Sequence, residues 1–378
     1  MEQNLRIESD IMGSGQIKGT PSPILSPRWR NSLLPDYDHN PLTWNLYPEE
    51  RSRPFFEPST QLVYVGSESQ RLTCFFAVSG QILWSATTHG RVVSQPILHR
   101  ERIFVGTTSG VFYAFDHKTG QQLWHYKSDG EILSRAAIFA SQEPEQIGIV
   151  MFTTGNNKLI ALDAKTGKWL WQQQNSPPDQ LSIRGQAPPT VHDNAVYTGY
   201  SDGTVAAYQA SNGNVIWKRS IKENDRFPDV DVEPLVYENA LYVASYSGAI
   251  HALNISDGQT RWKYDLKSTS DAKIRNGELF ATSNDGSVVV INVENGKSRW
   301  RKKFNHQGTF SSPEVDDYYL YIGSSDGKLY VLRQDDGEVI QELRYGGGFS
   351  TPMVYNQLLF VLSYNSFLYT FNIHIRRF

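Results

Sequence analysis

A tryptophan returns along this chain at nearly constant intervals. Trp44, Trp84, Trp124, Trp171, Trp217, Trp262 and Trp300 are separated by 40, 40, 47, 46, 45 and 38 residues. Six of them close the same short phrase, with a glycine four residues earlier: SGQILW, TGQQLW, TGKWLW, NGNVIW, DGQTRW and NGKSRW. A period of this size marks an array of equivalent structural units, each too small to bury its apolar surface alone.

One unit reads IFVGTTSGVFYAFDHKTGQQLW, from Ile103 to Trp124, and another reads LYVASYSGAIHALNISDGQTRW, from Leu241 to Trp262. Each contains two alternating runs rich in Val, Ile, Tyr and Phe, a tight turn with Gly between them, and a TG or DG turn before a short run ending in Trp. Period-two alternation bounded by Gly, Asp and Ser is the pattern of antiparallel strands. A further strand opens each unit, often announced by Pro, as at Pro96, Pro313 and Pro352. Proline suits the first residue of a strand, where its missing N–H breaks no ladder bond. Four strands per unit make one blade of a β-propeller.

Units begin near residues 58, 92, 132, 186, 232, 270, 310 and 350, which predicts an all-β ring of eight four-stranded antiparallel blades. Gln341 replaces the tryptophan of the seventh. The eighth stops after three strands, so the ring requires an N-terminal strand to close it, and the segment 41–46 (PLTWNL), around Trp44, fits that place. The expected organisation is therefore a flexible N-terminal tether over 1–40 and a single propeller over 41–378. The tryptophans read as packing between blades.

Composition narrows the function. A formal net charge of −3 argues against binding driven by neutralisation of nucleic-acid phosphates. Mean hydropathy of −0.45, with no apolar run of membrane length, excludes a spanning helix. The first 35 residues show no apolar signal region and no lipobox. The single cysteine, Cys74, forbids an internal disulfide and reads as a small buried hydrophobe. The nine histidines lack metal-ligand spacing, and His117, in a DHKTG turn, reads as solvated. Asp116, Asp163, Asp202, Asp257, Asp285 and Asp326 read as turn formers. No catalytic motif, cofactor site or metal site is expected.

Two connections stand out by length. Trp84 to Pro96 takes 12 residues and Trp300 to Pro313 takes 13, but Trp171 to Pro188 and Trp217 to Pro234 each take 17. Both longer segments join an outer strand to the next inner strand, so they fall on one face at adjacent junctions. One carries Leu181, Ile183 and Arg184; the other carries Asp229 and Asp231. Apolar anchors beside complementary charges suit a protein contact. An internal Arg184 salt bridge that staples the two loops fits the same residues.

The phrase LIALDAKTGKWLW resembles the repeats of pyrroloquinoline-quinone-type propellers. Within that group DGEILSRAA, LSIRGQAPP, DVDVEP and the SSP and STP strand starts resemble the BamB family, lipoproteins of the outer-membrane β-barrel assembly machinery, over residues 40 to 372. That resemblance implies a non-catalytic scaffold at the periplasmic face of the outer membrane. The implied partner is the POTRA region of BamA, contacted by Leu181, Ile183, Arg184, Asp229 and Asp231. Unfolded outer-membrane proteins are implied clients, and strand addition to a blade's outer edge is one mode of holding them. The alternatives are a quinone-dependent dehydrogenase, which the single cysteine opposes by forbidding that group's vicinal disulfide, and a propeller adaptor with another partner.

Overall fold

The computed structural model describes residues 23–33, 50–143, 146–175, 186–222, 227–246, 248–266, 269–305 and 308–375. Its 32 strands form eight four-stranded antiparallel sheets, and the described residues contain no helix. In blade 1 the strands run outward in chain order as Phe55–Glu57, Leu62–Ser67, Arg71–Phe76 and Ile82–Thr87. Blades 2 to 7 repeat this order over residues 97–127, 137–174, 190–220, 235–264, 269–303 and 314–344. Every blade begins within five residues of its expected start.

The two middle strands of a blade depart from simple alternation. Leu62–Ser67 is buried at all six positions, because each sheet is covered on both faces by its neighbours. The apolar core is accordingly divided into clusters that each join two adjacent blades. Val105 and Phe115 of blade 2 pack with Leu62 and Tyr64 of blade 1, while Phe104 and Phe112 pack with Phe152 and Ile160 of blade 3. Cys74 belongs to the first of these clusters; burial pushes its thiol up to about 12, so it stays protonated and unreactive.

The recurring tryptophan makes the joint between blades. In blades 1 to 6 its ring lies over the TG-, NG- or DG-turn glycine of the next blade. A Cβ on Gly258, held at φ +71°, would come within 2.7 Å of the Trp217 ring, so only glycine admits the indole. The indole N–H then donates to a backbone carbonyl of that same turn. Trp84 reaches His117, Trp124 reaches Ala164, Trp171 reaches Ala210, Trp217 reaches Ile255, Trp262 reaches Val293 and Trp300 reaches Gln334, all between 2.7 and 3.3 Å. Next to each tryptophan the outer strand carries a one-residue bulge, as between Cys74 and Phe75 of the partner strand in blade 1.

His117 is therefore not solvated. It is buried in the joint between blades 1 and 2, where its ring Nδ1 pairs with the Tyr64 hydroxyl at 3.0 Å and its carbonyl accepts the Trp84 indole. The turn around it is held as expected by Asp116, whose Oδ1 accepts the N–H groups of Lys118 and Thr119 and the Thr119 hydroxyl.

An N-terminal strand closes the ring, but it is Leu25–Ser32, paired with Phe367–Ile373, and not 41–46. Residues 41–46 lie outside the described residues. Trp29 fills the place expected of Trp44: its ring covers Gly80 and its indole donates to the Ala77 carbonyl at 2.8 Å. The ring thus begins inside the segment expected to be a tether, with Ile24 and Leu25 already buried.

This seam explains Gln341. Blade 8 is assembled from both ends of the ring, so no glycine turn joins its third strand to its fourth, and an indole from blade 7 would have no glycine to cover. Gln341 instead grips the closing strand twice. Its Oε1 accepts the Leu25 N–H at 2.7 Å and its Nε2 donates to the Leu25 carbonyl at 3.1 Å. On the other side of blade 8, buried Glu50 accepts the Glu68 N–H of blade 1 at 2.8 Å and the Ser366 hydroxyl of blade 8 at 3.0 Å.

Removing the grip in Gln341→Ala should cost about 1–2 kcal/mol and raise hydrogen exchange first in Leu25–Ser32, with blades 2 to 5 unchanged. Gln341→Trp should not rescue it, since the glycine is missing.

Burial raises the Glu50 carboxyl from 4.5 to about 7 against the opposing pull of its two donors. Below about pH 4.5 it is neutral in the folded and unfolded chain alike. As pH rises toward 7 the unfolded chain ionises first, so its stabilising contribution falls, by an amount on the order of 3 kcal/mol, and above about 7 the loss is complete. Denaturant midpoints should therefore drop from pH 5 to pH 8 in the wild type, and drop less in Glu50→Gln.

Candidate functional site

Three of the connections that carry the chain from an outer strand to the next inner strand share a construction. Each of these sends one apolar side chain into a notch left by a glycine in the second strand of the blade before it. Val92 fills the notch at Gly66, Ile132 the notch at Gly106 and Val230 the notch at Gly199, where an added Cβ would approach within 2.3 Å. Val230 is fully buried, and its N–H donates to the Tyr200 carbonyl at 3.1 Å. The DVDV run is thus threaded into the ring by Val230 and Val232, with its two aspartates on the alternate positions.

The aspartates differ in setting. Asp229 is fully buried, and its carbonyl accepts the Tyr246 N–H at 2.8 Å, tying the connection to the hairpin turn of blade 5. Asp231 is partly buried and lines a cavity of about 240 Å³ at the inner ends of the blades, together with Arg53, Gln95, Arg135 and Glu233. Leu181, Ile183 and Arg184 lie outside the described residues.

Ion pairs cross between blades around this cavity. Arg135, at the entry to blade 3, pairs with Glu233, at the entry to blade 5, passing over blade 4. Arg53, at the entry to blade 1, pairs with Glu314 of blade 7 at 2.5 Å, and Lys273 of blade 6 lies 3.8 Å from the same carboxylate. Gln186 accepts the Leu133 N–H at 3.1 Å, and its buried Nε2 has no partner among the described residues. These pairs went unnoticed in the linear reading. Their signal is positional: Gln95, Arg135 and Glu233 each stand three residues after the notch-filling Val92, Ile132 and Val230.

Among the described residues no group of three or more His, Cys, Asp or Glu is placed to hold a metal ion. What the face offers is shape and fixed charge: a floor of buried notches and a cavity bordered by paired Arg and Glu.

Comparison with known proteins agrees with this architecture. A BamB of Yersinia pestis is 27% identical over 277 residues, covering 71% of this chain and 68% of that protein. Across the first BamB relatives the chain spans between 43% and 68% of their own length. A polyvinylalcohol dehydrogenase of a Sphingopyxis species is 26% identical over 203 residues, covering 49% of this chain and 29% of the enzyme. The crystal structure of BamB from Moraxella catarrhalis superposes with a TM-score of 0.78 and 21% identity, covering 93% of this chain and all of that one, a likeness of fold. The sequence profile described as "Beta-alanine-activating enzyme, beta-propeller" matches residues 52–373. The chain belongs to that β-propeller family, and over most of its ring it is similar to BamB.

Proposed function

We propose that this chain is a non-catalytic scaffold in the assembly of outer-membrane β-barrel proteins, working at the periplasmic face of the outer membrane. The observation that carries the reading is the pair of long connections at adjacent junctions, one of them locked into the ring by Val230 in the Gly199 notch. BamB, an outer membrane protein assembly factor, is the name that recurs among the relatives, and it supports the same role. The similarity to a dehydrogenase covers less of this chain and a smaller part of the relative, and it follows the shared ring.

In this reading the partner is the POTRA region of the barrel-forming subunit BamA. Leu181 and Ile183 supply apolar anchors and Arg184 fixes register. Asp231, partly open at the cavity rim, meets the partner directly. Asp229 contributes by holding the connection in place, since its side chain is fully buried. Rigid presentation reduces the ordering that binding would otherwise require.

The test is binding of the purified ring to the POTRA segment from its own organism. Arg184→Ala and the pair Leu181→Ala/Ile183→Ala should each weaken binding at least tenfold, with circular dichroism unchanged. Absence of binding by the folded wild type would leave a propeller with another partner.

A further inference from the structure

Among the described residues each blade ends in an outer strand that is paired with one strand only, which gives the ring eight sheet edges. Open edges invite strand addition, and sheets guard them with charged side chains. Six of the eight outer strands are guarded in this way. Blade 6 reads SRWRKK, blade 5 TRWKY, blade 7 VIQELR, blade 4 VIWKRS, blade 2 QLWHYK and the closing strand LSPRWRNS. The outer strands of blades 1 and 3 read ILWSAT and WLWQQQ and hold no charge at all.

Their third strands separate these two edges. In blade 1, Arg71 stands at the start of the third strand and its guanidinium reaches across to the Ser85 hydroxyl on the edge strand, at 3.5 Å. The equivalent cation in blade 3, Lys158, is drawn the other way, to Asp129 in the connection entering the blade. Among the described residues no cation is hydrogen-bonded to the edge strand of blade 3, Trp169–Gln174.

Its side chains are arranged for a neighbour. Trp171 and Gln173 are committed to blade 4, through the Ala210 carbonyl at 3.2 Å and the Gly213 carbonyl at 2.9 Å. Gln172 and Gln174 point the other way and are exposed. The bulge is confined to Leu170, so Trp171–Gln174 continues as regular strand. Before it, Trp169 is 52% exposed and Leu170 41%, an apolar pair at the end of an uncharged edge. A lipid surface is the poorer occupant, because anionic headgroups seek cations and this strand has none.

We infer that the outer edge of blade 3 is a docking site for an extended, uncharged polypeptide segment, which adds to Trp169–Gln174 as a fifth strand. Main-chain hydrogen bonds supply the affinity, Trp169 and Leu170 take one apolar side chain, and the amides of Gln172 and Gln174 match polar ones. The inference deepens the assembly reading by naming how a client segment is held, and it rests on that reading for the client's identity.

The test uses the whole ring and a fluorescent ten-residue peptide of alternating valine and threonine, with no BamA present, so its outcome is independent of POTRA binding. The peptide should bind and should slow hydrogen exchange in Trp169–Gln174 but not in Ser298–Lys303. The same peptide methylated on alternate backbone amides should not bind. Leu170→Arg/Gln172→Arg copies the pattern of Arg299 and Arg301 in blade 6 and should reduce binding at least tenfold, with an unchanged circular dichroism spectrum. The inference is overturned if the wild-type ring ignores the peptide, if the methylated peptide binds equally well, or if protection appears at other edges. Binding of the wild type to phosphatidylcholine vesicles that is lost in Trp169→Ser/Leu170→Ser would equally overturn it, by making the edge a membrane seat.

Discussion

The indole laid over the next blade's glycine is the contact on which the ring depends. It joins three requirements in one place. The glycine must hold a positive φ for the turn and must lack a Cβ for the ring to approach, and the turn must offer a carbonyl to the indole N–H. Every blade but the seventh supplies the tryptophan, and every blade but the eighth receives on its own turn the tryptophan of the blade before. No blade can satisfy both halves alone, so the repeat is stable only as a closed set. The division of the core into clusters that bridge neighbouring blades is the same dependence expressed in apolar contacts.

Closure is where that rule has to bend. The ring's two ends meet inside blade 8, which removes the turn between its last two strands and with it the glycine. Gln341, holding the Leu25 backbone at both donor and acceptor, is what the joint becomes when the receiving turn is cut. On the other side of the blade, Trp29 keeps the ordinary joint onto Gly80. The buried carboxyl of Glu50 adds a contact between blades 8 and 1, at the cost of a burial that ordinary turns avoid.

The same geometry explains what the linear pattern revealed and what it hid. Blade count and order were legible because the glycine–tryptophan phrase is local, six residues long and repeated. The closing strand was not, because Trp29 has no glycine phrase before it and stands 55 residues ahead of Trp84, outside the period. Trp44 matches the spacing but lies outside the described residues, and the joint onto Gly80 is made by Trp29. His117 looked like a turn residue because sequence shows the turn but not the tryptophan of the blade before, which buries it. Asp229 and Asp231 read as a charged pair, yet the alternation of DVDV follows the notch at Gly199, and it sends Asp229 inside. The axial ion pairs join residues 98 and 261 positions apart, a distance over which local pattern carries no information.

A closed ring abolishes the two ends of a repeat array but multiplies its sheet edges, one for every blade. The charges on most outer strands are best understood as the answer to that problem, since they contribute little to stability at such exposed positions. Against this background the distribution of charge is more informative than its sum. The joint fixes only the tryptophan and its bulge on each outer strand, so the positions on either side are free to vary from blade to blade. Blade 6 uses them for Arg299 and Arg301, and blade 3 uses them for Leu170 and Gln172. Arg299 answers to its own blade, pairing with Glu278 at 3.0 Å, whereas Leu170 and Gln172 are exposed. The unguarded edge of blade 3 and the long connections that follow blades 3 and 4 are neighbours along the ring, so one extended partner could meet both.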